Sequence, residues 1–387
     1  MKKTTTLLIT ILLIPIVACA SSRKPQSLKD NTVFTQKLEA IRVKYKLPAI
    51  AAIVVNNENI INVGASGLRA IEAHEDVTIF DKFHLGSNTK SMTATLLAKM
   101  IEEGHFSWND SLELVFSDLT IHKDFKASTL EQLLRHQGGV TSNLIESYPK
   151  MWSQFWKMQS DDSESALSQR SLLAKTVLIE KPSFKIGLKS NYSNAGITLV
   201  GHAIEKKMKG KYEDIIKKSL FTDLGMESCG FGAAGEPGRY NQPRGHVSQN
   251  GKVVSVNPGP YADNPDAIAP AGKVHCSIVD WGRYIQEHLK GSQGNSDYLK
   301  TSSFKKLHSP LKDQVFGLGW IEMKPKWAKG DRLIFHNGSN TMNYGEMWIS
   351  PKENYAVAVV SNIGGADASR AVREAVISLV NEYLIAK

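Results

Sequence analysis

Ser87 and Lys90 lie three residues apart in "HLGSNTKSM" (84–92), and from Met92 onward the chain turns apolar at helical spacing. Positions i and i+3 share a helix face, so the hydroxyl and the amine can meet. At a helix start, unpaired backbone N–H groups and the helix dipole favour developing negative charge. An apolar setting lowers a lysine's pKa and leaves a neutral amine able to take the serine's proton. The pair points to nucleophilic catalysis. Two further stretches carry compatible chemistry. In "SNYSNAG" (190–196), Tyr192 and Asn194 alternate along an extended segment and so face one way. A tyrosine beside a cationic amine has its phenolate favoured, which offers a second base. In "LIFHNGSN" (333–340), a buried strand leads into His336, Gly338 and Ser339, with a glycine where backbone can approach a ligand closely.

The elements that must position these residues are legible around them. Met92, Leu96, Leu97, Met100 and Ile101 form the apolar face of the helix behind Ser87, which Gly104 ends. Phe34, Leu38, Ile41 and Tyr45 recur at helical spacing before Pro48, which closes that helix. "AIAAIVVNNENIINVGASG" (49–67) reads as two strands joined at residues 56–59. Near the other end, "GEMWIS" and "YAVAVVSN" are strands flanking residues 351–354, and Val372, Val376, Leu379, Val380 and Tyr383 mark one helix face. Strands at both ends with a mostly helical middle predict an α+β fold. Its antiparallel sheet is built from both chain ends and flanked by helices, with the middle as a second, helical lobe. "YPKMWSQFWKM" (148–158) reads as core in preference to a flap beside a pocket.

Composition sets limits. The 387 residues carry 42% hydrophobic and 22% charged residues, ordinary for a globular protein, with material for a large core. The formal charge is +9, but no basic run is interleaved with aromatics, so nucleic acid is not the expected partner. Residues 1–18 have two lysines followed by an apolar stretch too short to span a membrane as an ordinary helix. "IVAC" (16–19) resembles the bacterial lipobox, which makes 1–18 a lipoprotein signal peptide and Cys19 the lipidated first residue. Ala20, not Asp, follows, which in that resemblance implies a periplasmic protein anchored at the outer membrane. The polar residues after Cys19 form a tether, 19–33, to the domain at 34–384. Cys229 and Cys276 could pair in an oxidising compartment, although buried free thiols are the favoured expectation. Neither lies in a metal-binding spacing, and neither a metal nor a cofactor is expected.

Taken together, S-x-x-K, Y-x-N and H-x-G, in this order at 87, 192 and 336, resemble the serine β-lactamase and penicillin-binding-protein superfamily. The resemblance is nearest to the class C β-lactamase-like branch, with its D-alanyl-D-alanine carboxypeptidases and esterases. "FHLGSNTKSMTATLLAKMIEEGHFSWNDSL", "LEQLLRHQGGV", "NYSNAGITLVGHAIE", "LFTDLGM", "APAGKVHCSIVDW", "FGLGW" and "HNGSNTMNYGEMWISPKENYAVAVVSN" extend it over about residues 34–384. It implies Ser87 as the nucleophile of an acyl-enzyme, with Lys90 and Tyr192 sharing acid–base work. Asn194 would bind a substrate amide. The N–H groups of Ser87 and Ser339 would form an oxyanion hole, with Gly338 letting substrate lie along the strand. His336 stands where class C β-lactamases carry lysine, and as a mostly neutral group above its ordinary pKa it is a weaker carboxylate anchor. Ile186-Gly187 replaces the common Pro-Gly, and Gln137 the usual Ser or Thr.

The expected function is an envelope-anchored serine hydrolase, either D-alanyl-D-alanine peptidase-like or a weak β-lactamase. A short-chain esterase of the same branch and a penicillin-binding sensor that acylates without turnover are the alternatives. No G-x-S-x-G elbow surrounds Ser87, which argues against the α/β-hydrolase route. The partners expected are a small-molecule or peptide substrate and, through Cys19, the membrane.

Overall fold

The computed structural model describes residues 31–159, 164–325 and 332–385. The expected signal peptide 1–18, Cys19 and residues 20–30 of the expected tether lie outside them. The N-terminal end supplies β1 (Ala49–Val55) and β2 (Ile60–Gly67). The middle supplies the short strands β3 (Lys82–His84), β4 (Gly230–Phe231), β5 (His246–Gln249), β6 (Lys252–Ser255) and β7 (Val274–Ser277). The C-terminal end supplies β8 (Ile321–Met323), β9 (Leu333–Ser339), β10 (Tyr344–Ser350) and β11 (Tyr355–Ser361). One six-stranded sheet runs β2-β1-β11-β10-β9-β8, every neighbour antiparallel, with Ile50 opposite Ser361 and His336 opposite Met347. The sheet expected from both chain ends is therefore present.

Both faces of that sheet are covered, which is why β1 reads "AIAAIVV" without polar alternation. Ile50, Ala52 and Val54 pack with Phe34, Leu38, Val372 and Val376 of the two terminal helices. Ala49, Ala51, Ile53 and Val55 turn to the other side, into the core that holds Trp281 and Ile285 of the helix Ile278–Ser292. Burying each Ile or Val contributes about 1.5–3 kcal/mol. A one-residue slip would exchange the two faces, so the register is firmly set.

Asn31 caps the first helix through Val33 N and Phe34 N, so the helix begins at Thr32, inside the expected tether. It ends at Lys46 in a left-handed cap (φ 53°), before Pro48 is reached. The second lobe is mostly helical. It includes the helix Asn194–Met208 and the helix Pro149–Met158. In the latter, Met151 and Phe155 enter the core as expected. Trp152 and Trp156 stay partly exposed, and the Trp156 ring lies 6.1 Å from that of Tyr261.

Two small sheets, β3-β7-β4 and β5-β6, escaped the sequence reading because strands of two to four residues carry too little periodicity. The first corrects the cysteine expectation. Cys276 sits in β7 opposite Phe83, and Cys229 immediately precedes β4, whose Gly230 pairs with His275. The two Cα atoms are 4.2 Å apart and the cysteines form a disulfide, not buried free thiols. Among the described residues, no helix is long and apolar enough to cross a membrane and no cluster of three or more His, Cys, Asp or Glu could hold a metal.

Candidate active site

From Phe83 through Ala98, Ser87 alone is not buried. It lies in a 3-10 turn, Gly86–Asn88, that leads into the helix Thr89–Glu102, one turn earlier than expected. The i+3 relation survives this shift: Lys90 Nζ donates to Ser87 Oγ at 3.0 Å and to the Ala271 carbonyl at 2.7 Å. The helix is enclosed on every side through Ala98, so its polar residues are buried too and must be satisfied internally. Thr89 Oγ1 donates to Gly86 O at 2.7 Å, Ser91 Oγ to Asn88 O at 2.7 Å and Thr93 Oγ1 to Pro270 O at 2.5 Å. This enclosure acts on the amine. Burial holds the Lys90 pKa well below its ordinary value, which favours the neutral, proton-accepting form.

Tyr192 arrives from the loop before the helix Asn194–Met208. Ser193 caps that helix, accepting from Gly196 N at 3.1 Å and donating to Thr141 O at 2.6 Å. Asn194 is thus the first helical residue and not the extended partner of Tyr192. It is partly exposed, and its carboxamide makes no hydrogen bond among the described residues. Lys90 Nζ lies 4.7 Å from the Tyr192 ring centroid. Burial pushes the Tyr192 pKa up to about 12, with Ser87 opposing it, so the group is a phenol at neutral pH. The phenolate expected from the sequence is not favoured, because desolvation disfavours charge on phenol and amine alike.

On β9, His336 is buried, and its Nδ1–H donates to the Asn337 carbonyl at 2.6 Å. Burial, reinforced by Lys90, lowers its pKa to about 3. It is neutral across the physiological range, with Nε2 left as an acceptor. Gly338 has a packing use beside the one expected of it. A Cβ there would lie 2.2 Å from Leu85 O and 2.5 Å from Ser87 N, so the missing side chain admits the Ser87 turn against the strand. Gly86 (φ +52°) answers it, since a Cβ there would lie 2.4 Å from Ser339 N. Ser339 Oγ is committed to Asn343 O at 2.7 Å and Thr341 N at 2.9 Å, which leaves its N–H as the group able to act on a ligand.

Three contributors lacked a sequence assignment. His136, in "LLRHQGGV", holds a left-handed backbone (φ 59°), accepts from Ser193 N at 3.2 Å and packs its ring 4.7 Å from that of Tyr192. Its place in a quoted motif was the available signal. The Ala271 carbonyl has no side-chain signature. Gln137, where Ser or Thr is usual, donates to Gln314 at 2.6 Å, and Gln314 also accepts from Ser190 at 3.0 Å. It bridges two loops that a shorter side chain would not reach.

The arrangement can deprotonate one accessible hydroxyl without a metal or a charged base. Its setting has relatives. A family model described as "Beta-lactamase" matches residues 33–382. Protein flp of Staphylococcus aureus (strain COL) is 21% identical over 344 residues, covering 87% of this chain and 64% of its own length, so the chain spans less than two thirds of that relative. Among solved structures, an octameric penicillin-binding protein homologue from Pyrococcus abyssi superposes with a TM-score of 0.72 at 23% identity, covering 89% of this chain and 77% of the other. A D-stereospecific amidohydrolase from Streptomyces sp. gives 0.68 at 22% identity, covering 90% and 98%. These likenesses show the fold, and the family match over nearly the whole described chain shows the lineage: the protein belongs to the beta-lactamase family.

Proposed function

We propose that the chain is a serine hydrolase that cleaves an amide or ester through an acyl-enzyme on Ser87. The carrying observation is the sole open hydroxyl in a buried stretch, 3.0 Å from a wholly buried lysine amine. Neutral Lys90 takes the Ser87 proton as Oγ attacks the carbonyl carbon. The N–H groups of Ser87 and Ser339 receive the oxyanion, a contribution of roughly 3–4 kcal/mol per donor. Tyr192, held as a phenol in contact with Ser87, passes the proton on to the leaving group. Water then releases the acyl group by the reverse path, and Asn194 offers its unpaired amide to the substrate.

His336 bears on substrate choice. D-alanyl-D-alanine peptides and β-lactams present a carboxylate beside the scissile bond, and a neutral His336 whose free nitrogen is an acceptor does not attract one. This favours an uncharged group at that position, hence a neutral amide or ester over the peptidase and lactamase substrates that lead the expectation from sequence. The Streptomyces structure, named an amidohydrolase, is compatible with that direction. Incubating the protein lacking residues 1–19 with a fluorophosphonate, a fluorescent penicillin, p-nitrophenyl acetate and a D-Ala-D-Ala peptide tests the proposal. Ser87-dependent labelling with turnover of neutral substrates is expected, and labelling unchanged in folded Ser87→Ala would refute it.

The same proposal places the enzyme at the periplasmic face of the envelope, tethered by lipid on Cys19. The motif "IVAC" supports this. A palmitate analogue should tag the wild type and not Cys19→Ala. Recovery of untagged wild type from the soluble fraction would remove the anchor from the proposal.

A further inference from the structure

Three buried side chains outside the proton-transfer group join the segments that carry Ser87 and Ser339. Gly86 N–H donates to His84 Nδ1 at 3.1 Å, and His84 Nε2–H donates to Asp263 Oδ2 at 2.7 Å. Asp263 Oδ1 accepts from Asn340 Nδ2 at 3.1 Å. Asn340 Oδ1 is occupied in turn by Met342 N and Asn343 Nδ2, each at 3.2 Å. His84, Asp263 and Asn340 are 4%, 4% and 5% exposed. Each bond has one permitted direction. Because His84 Nδ1 accepts, its hydrogen sits on Nε2, and Asp263 must accept on both oxygens. Burial works against charge on Asp263, but His84 first, then Lys273 and Asn340, hold its pKa below the ordinary carboxylate value.

The ends of this bridge are informative. Gly86 directly precedes Ser87, and Asn340 directly follows Ser339, so each end stops one residue from a proposed oxyanion donor. The two donors come from segments remote in sequence, and an oxyanion hole works only if its N–H groups are held in place before charge develops. We infer that His84, Asp263 and Asn340 form a clamp that sets the relative position of the Ser87 and Ser339 N–H groups, and that they are positioning residues for the oxyanion hole. The inference rests on the acyl-transfer function proposed for Ser87.

The fixed bond directions supply the test. Asp263→Asn has one acceptor where two are needed, so either orientation sets an N–H against His84 Nε2–H or against Asn340 Nδ2. Asn340→Asp sets two carboxylates face to face. The double variant Asp263→Asn/Asn340→Asp restores every bond: the new amide accepts from His84 and donates to the new carboxylate, whose other oxygen accepts from Met342 N and Asn343 Nδ2.

Steady-state kinetics on p-nitrophenyl acetate should show kcat falling roughly 10- to 100-fold in each single variant with KM within about twofold, as for a loss confined to the transition state. The double variant should return to within about threefold of wild type. Thermal unfolding, measured in parallel, separates the outcomes, since a purely structural network would lower Tm while leaving kcat per folded molecule intact. His84→Gln is the milder companion should a single variant not fold. It keeps a donor toward Asp263 but strands Gly86 N–H, and kcat should fall about tenfold. Unchanged kcat in folded single variants or in His84→Gln, or no recovery in a folded double variant, overturns the clamp while the hydrolase function stands. Absence of Ser87-dependent turnover in the wild type overturns the hydrolase proposal, and the clamp falls with it.

Discussion

The Cα of Gly338 and the backbone nitrogen of Ser87 face each other so closely that a single added methyl would sit 2.5 Å from that nitrogen and 2.2 Å from Leu85 O. Both obstructing atoms are backbone, so no side chain can swing aside. Gly338→Ala should therefore displace the Ser87 turn or the strand. We expect at least a 100-fold loss of Ser87 labelling by a fluorophosphonate and a stability loss of about 1–3 kcal/mol from overpacking. Wild-type labelling rates in this variant would show that the contact yields.

Lys90 should cost stability at neutral pH. Its folded pKa is depressed by burial, so the unfolded chain binds a proton that the folded chain binds less tightly. The penalty is present below the unfolded pKa of about 10.4 and shrinks as pH rises toward it. Lys90→Met should abolish turnover yet be more stable than the wild type by ~0.5–2 kcal/mol at pH 7. The wild type should close the gap between pH 7 and 10 in urea unfolding. A gap independent of pH over that range would mean the amine stays charged.

His336 should be silent in pH profiles near neutrality. With its pKa lowered to about 3, it does not change charge between pH 6 and 8. The ratio of kcat/KM for a cephalosporin to that for p-nitrophenyl acetate should then stay within about twofold over this range, because no charge appears to attract the carboxylate. A ratio rising as pH falls through about 6.5, an ordinary histidine pKa, would show that His336 is protonated there.

Reducing the Cys229–Cys276 link should loosen the small sheet whose strand β3 leads to Ser87. The disulfide closes a separation of 47 residues, for which the chain-entropy treatment gives about 4 kcal/mol. Cys229→Ser/Cys276→Ser should be less stable by about 2–4 kcal/mol in denaturant titrations under non-reducing conditions. Equal midpoints with and without the link would assign it no stabilising part.

How much of this was legible in the sequence follows from the range over which each interaction acts. Ser87 and Lys90 are a local pair, readable from i, i+3 spacing, and the strands at both ends are continuous apolar runs. The helix carrying Lys90 was read as one-sided because Thr89, Ser91, Thr93 and Thr95 are polar. Their burial depends on partners such as Pro270 and Tyr284, which no local pattern brings near. The phenol state of Tyr192 departs from the expectation, and His336 stays neutral further into acid than its ordinary pKa implies, for a related reason. Reference pKa values presuppose water, and the enclosure that removes it is tertiary. The disulfide and the His84–Asp263–Asn340 bridge join residues with no shared period, so they emerge only once β3, β7 and the turn that follows β9 are in place.

A sheet closed by the first and last strands imposes an order of events on a growing chain. β1 is synthesised early, but its neighbour β11 comes near the very end, and until then its edge has no partner. Contacts of such long sequence separation make for slow folding, which cannot complete before synthesis does. The wall that abuts Ser87 belongs to β9, also a late arrival, so for most of synthesis the nascent protein carries Ser87 and Lys90 without the strand that completes their surroundings. The two terminal helices meet when the sheet closes, through Lys44–Glu374 at 2.7 Å and, one turn beyond the last helix, Lys37–Glu382 at 2.7 Å. The domain's ends thus finish side by side. A permuted gene that joins them and opens an exposed turn elsewhere should yield an active enzyme whose arming occurs at a different point of synthesis.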